Sequence, residues 1–161
     1  MRHLWCSLIV MILLSLTTIA QEKYGVLDEI ESHIREKTLG WQLVKKRVHP
    51  QIGQAIYQWR KGKSSVAVHF FVYESEDVAS TRFKSLPGLY QGSGLDVRGL
   101  DMIILRAKVP KLGDENYLWE ESQDRRLFGV DFRKGKIVVH TAASSIATAE
   151  QFALQMAEAV P

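Results

Sequence analysis

Val130-Asp-Phe-Arg-Lys-Gly-Lys-Ile-Val-Val-His140 decides the fold. Apolar and polar residues alternate into Arg133-Lys134-Gly135-Lys136, and an apolar run leaves it. Alternation at a period of two, broken by a short Gly-containing turn, is the pattern of a β-hairpin. A helical stripe follows at Ala149, Phe152, Ala153 and Met156. The unit is strand, hairpin, strand, helix. An echo lies earlier in the chain. Trp59-Arg60-Lys61-Gly62-Lys63 leads through two serines to Val66-Ala67-Val68-His69, and a second helical pattern follows. Aligned on the turn, His69 matches His140 within two residues of slack.

Working outward, the N-terminal side supplies two strands and a helix. Val26, Leu27, Ile30 and Ile34 share one stripe of an amphipathic helix spanning about 25–38, with Gly40 as its stop. Trp41–Val48 alternates weakly, turn residues follow at His49–Gly53, and Ala55–Arg60 resumes as a strand. Ser65–Tyr73 reads as the next strand, and its run Val66–Tyr73 is mostly apolar on both faces, as expected of a central strand. Glu76–Leu86 is a helical pattern, with Pro87-Gly88 expected to end it. Gly88–Gly99 is Gly-rich and reads as a loop or a frayed strand. Strands are predicted at Met102–Ala107, Tyr117–Glu121 and Leu127–Phe132. Thr148-Ala-Glu-Gln151 fits a capping box for the last helix, with Ser145 as the competing cap.

These elements predict an α+β fold, a single antiparallel sheet of about six or seven strands with helices packed on it. A ββα unit used twice accounts for the two matched hairpins. The alternative is that any two hairpins with a basic Gly turn look alike. The 46% hydrophobic content suits one domain with a real core.

The first twenty residues read as a removable segment. Arg2 and His3 precede an apolar run from Leu4 to Leu16, and Thr18-Ile19-Ala20 puts small residues at −3 and −1. That layout predicts a signal peptide over 1–20 and an α+β domain over 21–161. The run is shorter than the roughly 18–20 apolar residues a spanning helix needs. Cys6 is the only cysteine and falls within the run, so the remaining chain carries no disulfide and no thiol nucleophile. Its 20 Lys and Arg against 18 Asp and Glu leave too small an excess to indicate nucleic acid or an anionic membrane as partner. The expected location is secreted or periplasmic.

Catalytic patterns are sparse. No Gly-x-Ser-x-Gly elbow and no P-loop occur. Gly88-x-x-x-Gly92-x-Gly94 has the spacing of one dinucleotide loop, but a helix precedes it where the mechanism needs a strand. No cofactor is predicted. His69 and His140 are the one tempting metal pair, and zinc needs at least a third ligand, so no metal is predicted either. The acids Glu115, Glu120, Glu121 and Asp124 lack the spacing of a calcium loop. As a general base, His69 or His140 would require a carboxylate such as Asp131. Tyr57/Trp59 and Tyr117/Trp119 give two aromatic strand faces, which either fill the core or form a ligand platform. The matched basic turns form a cationic patch if their tips lie side by side.

Leu112-Gly-Asp-Glu-Asn-Tyr117, then Phe132-Arg-Lys-Gly-Lys-Ile-Val-Val139, then Ala149-Glu-Gln-Phe-Ala153 resembles the closing segment of bacterial extracytoplasmic domains. Among these are secreted domains of unknown function and sensor-type domains similar to the outer part of a mycobacterial-type Ser/Thr kinase. The resemblance covers about a third of the chain. It implies an antiparallel α+β sandwich and a non-enzymatic role, and it assigns no site residues. Sensor domains of that kind carry disulfides, which this chain lacks after residue 20, so a sensor role does not transfer.

The functional expectation is a non-enzymatic binding domain of the cell envelope. Its partner is an envelope protein or a small ligand, bound by the aromatic strands and the Gly88–Gly99 segment. The alternative is a small hydrolase or isomerase using His69 or His140 with Asp131.

Overall fold

The computed structural model describes residues 25–36, 38, 40–92, 102–106, 108–110, 112–121 and 127–161. Seven strands form one antiparallel sheet: β1 (Gln42–His49), β2 (Gln54–Lys61), β3 (Ser64–Val72), β4 (Met102–Arg106), β5 (Glu115–Glu121), β6 (Phe128–Lys134) and β7 (Ile137–Ala143). Their order is β1-β2-β3-β7-β6-β5-β4. Helix α1 covers 25–36, α2 runs Glu76–Gly92 and α3 runs Ile146–Ala159. The predicted α+β class and antiparallel sheet are both present.

Side-chain alternation splits the sheet into two faces. Tyr57 and Trp59 of β2, Val66, Val68 and Phe70 of β3, Val139 of β7 and Val130 and Phe132 of β6 share one face. Leu27, Ile30 and Ile34 of α1 and Phe152, Ala153 and Met156 of α3 seal it. The aromatics interlock: Phe152 lies edge-on to Trp41 at 4.9 Å between ring centroids and 5.6 Å from Trp59. Each such ring removes a large apolar area from water, at about 25 cal/mol per Å². The opposite face carries a smaller cluster, Ala79 and Phe83 of α2 with Tyr117, Trp119 and Val138 of the sheet.

The two helices that follow the matched hairpins therefore lie on opposite faces, α2 on one and α3 on the other. The strand-hairpin-strand-helix succession occurs twice, but duplication is not confirmed. β3 also pairs antiparallel to β7, with Val66 opposite Ala143 and Val72 opposite Ile137. That register sends the two basic turns to opposite ends of the sheet, which overturns the side-by-side cationic patch.

One helix boundary differs from expectation, and one choice between two caps is decided. α2 continues past Pro87 to Gly92. A proline removes one helical hydrogen bond without obliging the chain to leave the helix. Residues 88–92 are thus helical, and the rest of the predicted Gly-rich loop lies outside the described residues. At α3 the N-cap is Ser145, not Thr148: its extended backbone ends the strand side, and its Oγ accepts from the Thr148 N–H at 3.2 Å.

The opening hairpin knits three elements together. Gly135 takes the left-handed φ of 55° that its tight turn demands. Arg133 Nε donates to Glu115 Oε1 at 2.7 Å, and its Nη1 lies 2.9 Å from Asp114 Oδ2. Lys134 Nζ donates to the Val160 carbonyl at 2.6 Å and to the Ala157 carbonyl at 3.3 Å. A cation on the last carbonyls of α3 satisfies acceptors the helix leaves open and opposes its dipole. Gly113, at φ 41°, sits so close to the Arg133 carbonyl that a Cβ would lie 2.2 Å from that oxygen. Asn116 locks the preceding loop by accepting from the Val109 N–H and donating to the Leu112 carbonyl. The Leu112–Asn116 and Arg133–Lys136 motifs thus do structural work.

Candidate functional site

The α2 face of the sheet is built in cross-strand rows, because antiparallel partners directly opposite share a face. One row is polar. Ile56 stands opposite His69, His69 opposite His140, His140 opposite Asp131, and Asp131 opposite Tyr117. The row on one side is small: Ala67, Ala142 and Gly129, ending at Trp119. On the other side run Gln54, Phe71, Val138, Arg133 and Glu115.

Asp131 is the centre of the polar row and is fully buried. Tyr117 Oη donates to its Oδ2 at 2.9 Å, and Trp119 Nε1 donates to its Oδ1 at 2.9 Å. His140 Nδ1 lies 2.7 Å from the same Oδ1. The Trp119 ring reaches this position because residue 129 is glycine: a Cβ there would fall 2.0 Å from the indole. The indole also stacks on the His140 ring, at 5.3 Å and 17° between planes.

The two histidines have opposite electrostatics. Burial works against a charged His140, but the charge and hydrogen bond of Asp131 outweigh it and raise its pKa above the ordinary value. Burial, reinforced by the neighbouring His140, lowers the pKa of His69 to about 4. His69 Nε2 is buried and has no hydrogen-bond partner among the described residues. Its ring packs on Phe71 at 4.0 Å. The row therefore sets a histidine whose proton is favoured by Asp131 beside one whose proton is disfavoured by burial.

Among the described residues, two clefts flank α2 on this face. The first, about 360 Å³, has Phe71 and Val138 on its floor, Tyr73 and Gln54 beside them, and Arg82 and Leu86 on its helix wall. Phe71 and Tyr73 lie nearly parallel, 13° between planes, at 6.4 Å. Two residues further along each strand, on the same face, the floor continues into His69 and His140. The second, about 370 Å³, lies between Phe83, Lys84 and Lys108 on one side and Glu115 and Tyr117 on the other. Its acid is already engaged. Burial works against a charged Glu115, yet hydrogen bonds from Ser80 and Arg133 and the charges of Lys84 and Arg133 hold its pKa below the usual range.

The predicted site residues fall into two groups. His69, His140 and Asp131 come together as neighbours on three adjacent strands. Tyr57 and Trp59 are buried under α1 and α3, while Tyr117 and Trp119 are buried on the α2 face and turn their polar ends to Asp131. None of the four rings is exposed, so they form no open platform. Of the four, Tyr117 borders the second cleft beside Phe83, while the first cleft is lined by Phe71 and Tyr73, which were not predicted. The apolar run of β3 hid them, because alternation is silent where both faces carry apolar residues. Among the described residues, no group of three or more His, Cys, Asp or Glu is arranged to hold a metal ion. Nor does any described helix have the length and apolarity to cross a membrane. Comparison with known protein families, with characterised proteins and with solved structures finds no match to this chain.

Proposed function

We propose that this chain is exported and acts as a non-enzymatic binding domain of the bacterial cell envelope, taking a small ligand in the cleft between α2 and the β2–β3 strands. The carrying observation is the cleft itself: about 360 Å³, floored by Phe71 and Val138 and walled by Leu86 and Arg82. Concave, mostly apolar sites of this size with a few placed polar groups are where small molecules bind. The layout of residues 1–20 supports export. The extracytoplasmic resemblance of the last fifty residues points the same way.

The test uses N-phenyl-1-naphthylamine, an uncharged probe whose fluorescence rises in apolar surroundings. Titration is expected to give saturable enhancement. Ser85→Trp places an indole in the cleft from an exposed position on α2 and should abolish it without lowering thermal stability. Binding undiminished in Ser85→Trp would sink the proposal. For export, the mass of the protein recovered outside the cytoplasm should begin at Gln21 or its cyclised form, and an intact Met1 would overturn it.

One observation favours a second reading, a hydrolase or isomerase. The His140–Asp131 contact of 2.7 Å is the arrangement by which a carboxylate orients a catalytic imidazole. This reading predicts turnover of ester or keto substrates that His140→Gln eliminates. Activity surviving that substitution contradicts it.

A further inference from the structure

The cleft beside β3 also specifies the charge of its occupant. This inference rests on the binding role proposed above. We infer that the cleft selects a small monoanion with an aromatic or branched apolar body, its anionic group held by Arg82 and its body stacked on Phe71 and Tyr73.

Four observations carry it. Among the described residues, Arg82 is the only charged one lining this cleft. The other cleft differs: it mixes Lys84 and Lys108 with Asp114 and Glu115, and its acids already have cationic partners. Among the described residues, no carboxylate pairs with the Arg82 guanidinium, whereas Arg106 has one such partner and Arg133 two. A guanidinium at the lip of an apolar cleft offers a fork of N–H donors that matches a carboxylate or a similar oxyanion. Burial raises the pKa of the Tyr73 hydroxyl above its ordinary value, with the Arg82 charge opposing that rise and Glu74 adding to it. Below Arg82 the floor is aromatic and aliphatic. Phe71 of β3 and Tyr73 just beyond its end present nearly parallel rings, and Val138 and Leu86 close the sides. Such a floor favours a flat or branched hydrocarbon body, which gains by leaving water. Gln54 and Ser85 supply the remaining polar contacts, although the Ser85 hydroxyl already donates to the Arg82 carbonyl at 2.7 Å. A cationic ligand would meet Arg82 with like charge, and a neutral one would leave the guanidinium unused.

Two probes with the same ring system separate charge from shape. 8-Anilinonaphthalene-1-sulfonate carries one negative charge, and N-phenyl-1-naphthylamine carries none. The purified protein should bind the anion about tenfold more tightly, the scale of one charge-assisted contact. Arg82→Gln should remove that preference and leave the neutral probe unchanged. Lys84→Gln, on the same helix but lining the other cleft, should alter neither. Raising salt should narrow the preference, because a rim charge is screened. Equal affinity for both probes, with both lost in Ser85→Trp, overturns the inference while the binding role stands. An Arg82→Gln variant that weakens both probes alike also overturns it. If neither probe binds, the binding role fails and the inference fails with it.

Discussion

The two faces of one sheet have been built by different physics. Under α1 and α3 the sheet is an aromatic and aliphatic core in which Tyr57, Trp59, Phe70, Phe132 and Phe152 interlock. Among the described residues, its one buried acid, Glu31, sits at the margin and is paired with Lys46 and Arg35. Under α2 the sheet carries a buried carboxylate, two histidines and two clefts. One face has two helices to seal it, and the other has one described helix. The comparison teaches where function can reside. A face closed by interdigitating rings offers a ligand nothing, whereas a face with one helix keeps open floor on either side of it.

The comparison can be broken by mutation. Phe152→Ala on the sealed face and Asp131→Ala on the open face should each cost about 3–5 kcal/mol, by unlike routes. The first loses packing. The second takes away the carboxylate beside His140 and removes the acceptor of Tyr117 and Trp119. Urea denaturation at several pH values distinguishes them, since only the Asp131→Ala loss should vary with pH. A loss below about 1 kcal/mol for Asp131→Ala would show that the polar row is not integral to the fold.

Gly129→Ala should cost about 1–3 kcal/mol, the usual range for overpacking, and disturb the near-ultraviolet signal of Trp119. An unchanged spectrum and midpoint would mean the indole has room to move aside.

The two histidines predict a stability optimum near neutral pH. His69 has a folded pKa lowered to about 4 from 6.5, so the unfolded chain takes up this proton first on acidification. Its contribution is present above pH 6.5 and is lost as pH falls toward 4. The full shift corresponds to at most about 3 kcal/mol, and the ring's partial exposure reduces the expected figure to about 1–2 kcal/mol. His140 has the opposite sign. Its raised pKa stabilises the fold below pH 6.5, and that contribution is lost as pH rises through the folded value. His69→Gln should flatten the acid limb of a melting-temperature profile and leave the alkaline limb in place. An unchanged acid limb would contradict the assignment. Smallest is Lys134→Met, which removes the cation from the carbonyls ending α3 and should cost about 1 kcal/mol.

Much of this fold was legible because its signals are local. The Arg133–Lys136 turn, the strand alternation of β2 and the stripe of α3 each follow from residues close in sequence. The pairing of His69 with His140 was legible as a matched position after two similar turns, and register then made them direct neighbours. What stayed hidden depends on which face a helix covers. α2 and α3 follow similar hairpins yet pack on opposite faces, and no periodicity encodes that choice. The same ambiguity concealed Phe71 and Tyr73, which a mostly apolar run could not assign to core or cleft. Arg82 gave no signal at all, because an isolated arginine on an amphipathic helix reads as a solvated residue until a cleft is seen beneath it.

The central claim is that binding belongs to the α2 face. Backbone amide resonances of the protein, followed while 8-anilinonaphthalene-1-sulfonate is added, test it most directly. The account predicts saturable shifts concentrated at Gln54, Phe71, Tyr73, Arg82 and Val138, with α1 and α3 unmoved. Shifts centred on Ile30, Phe152 or Met156 would contradict it.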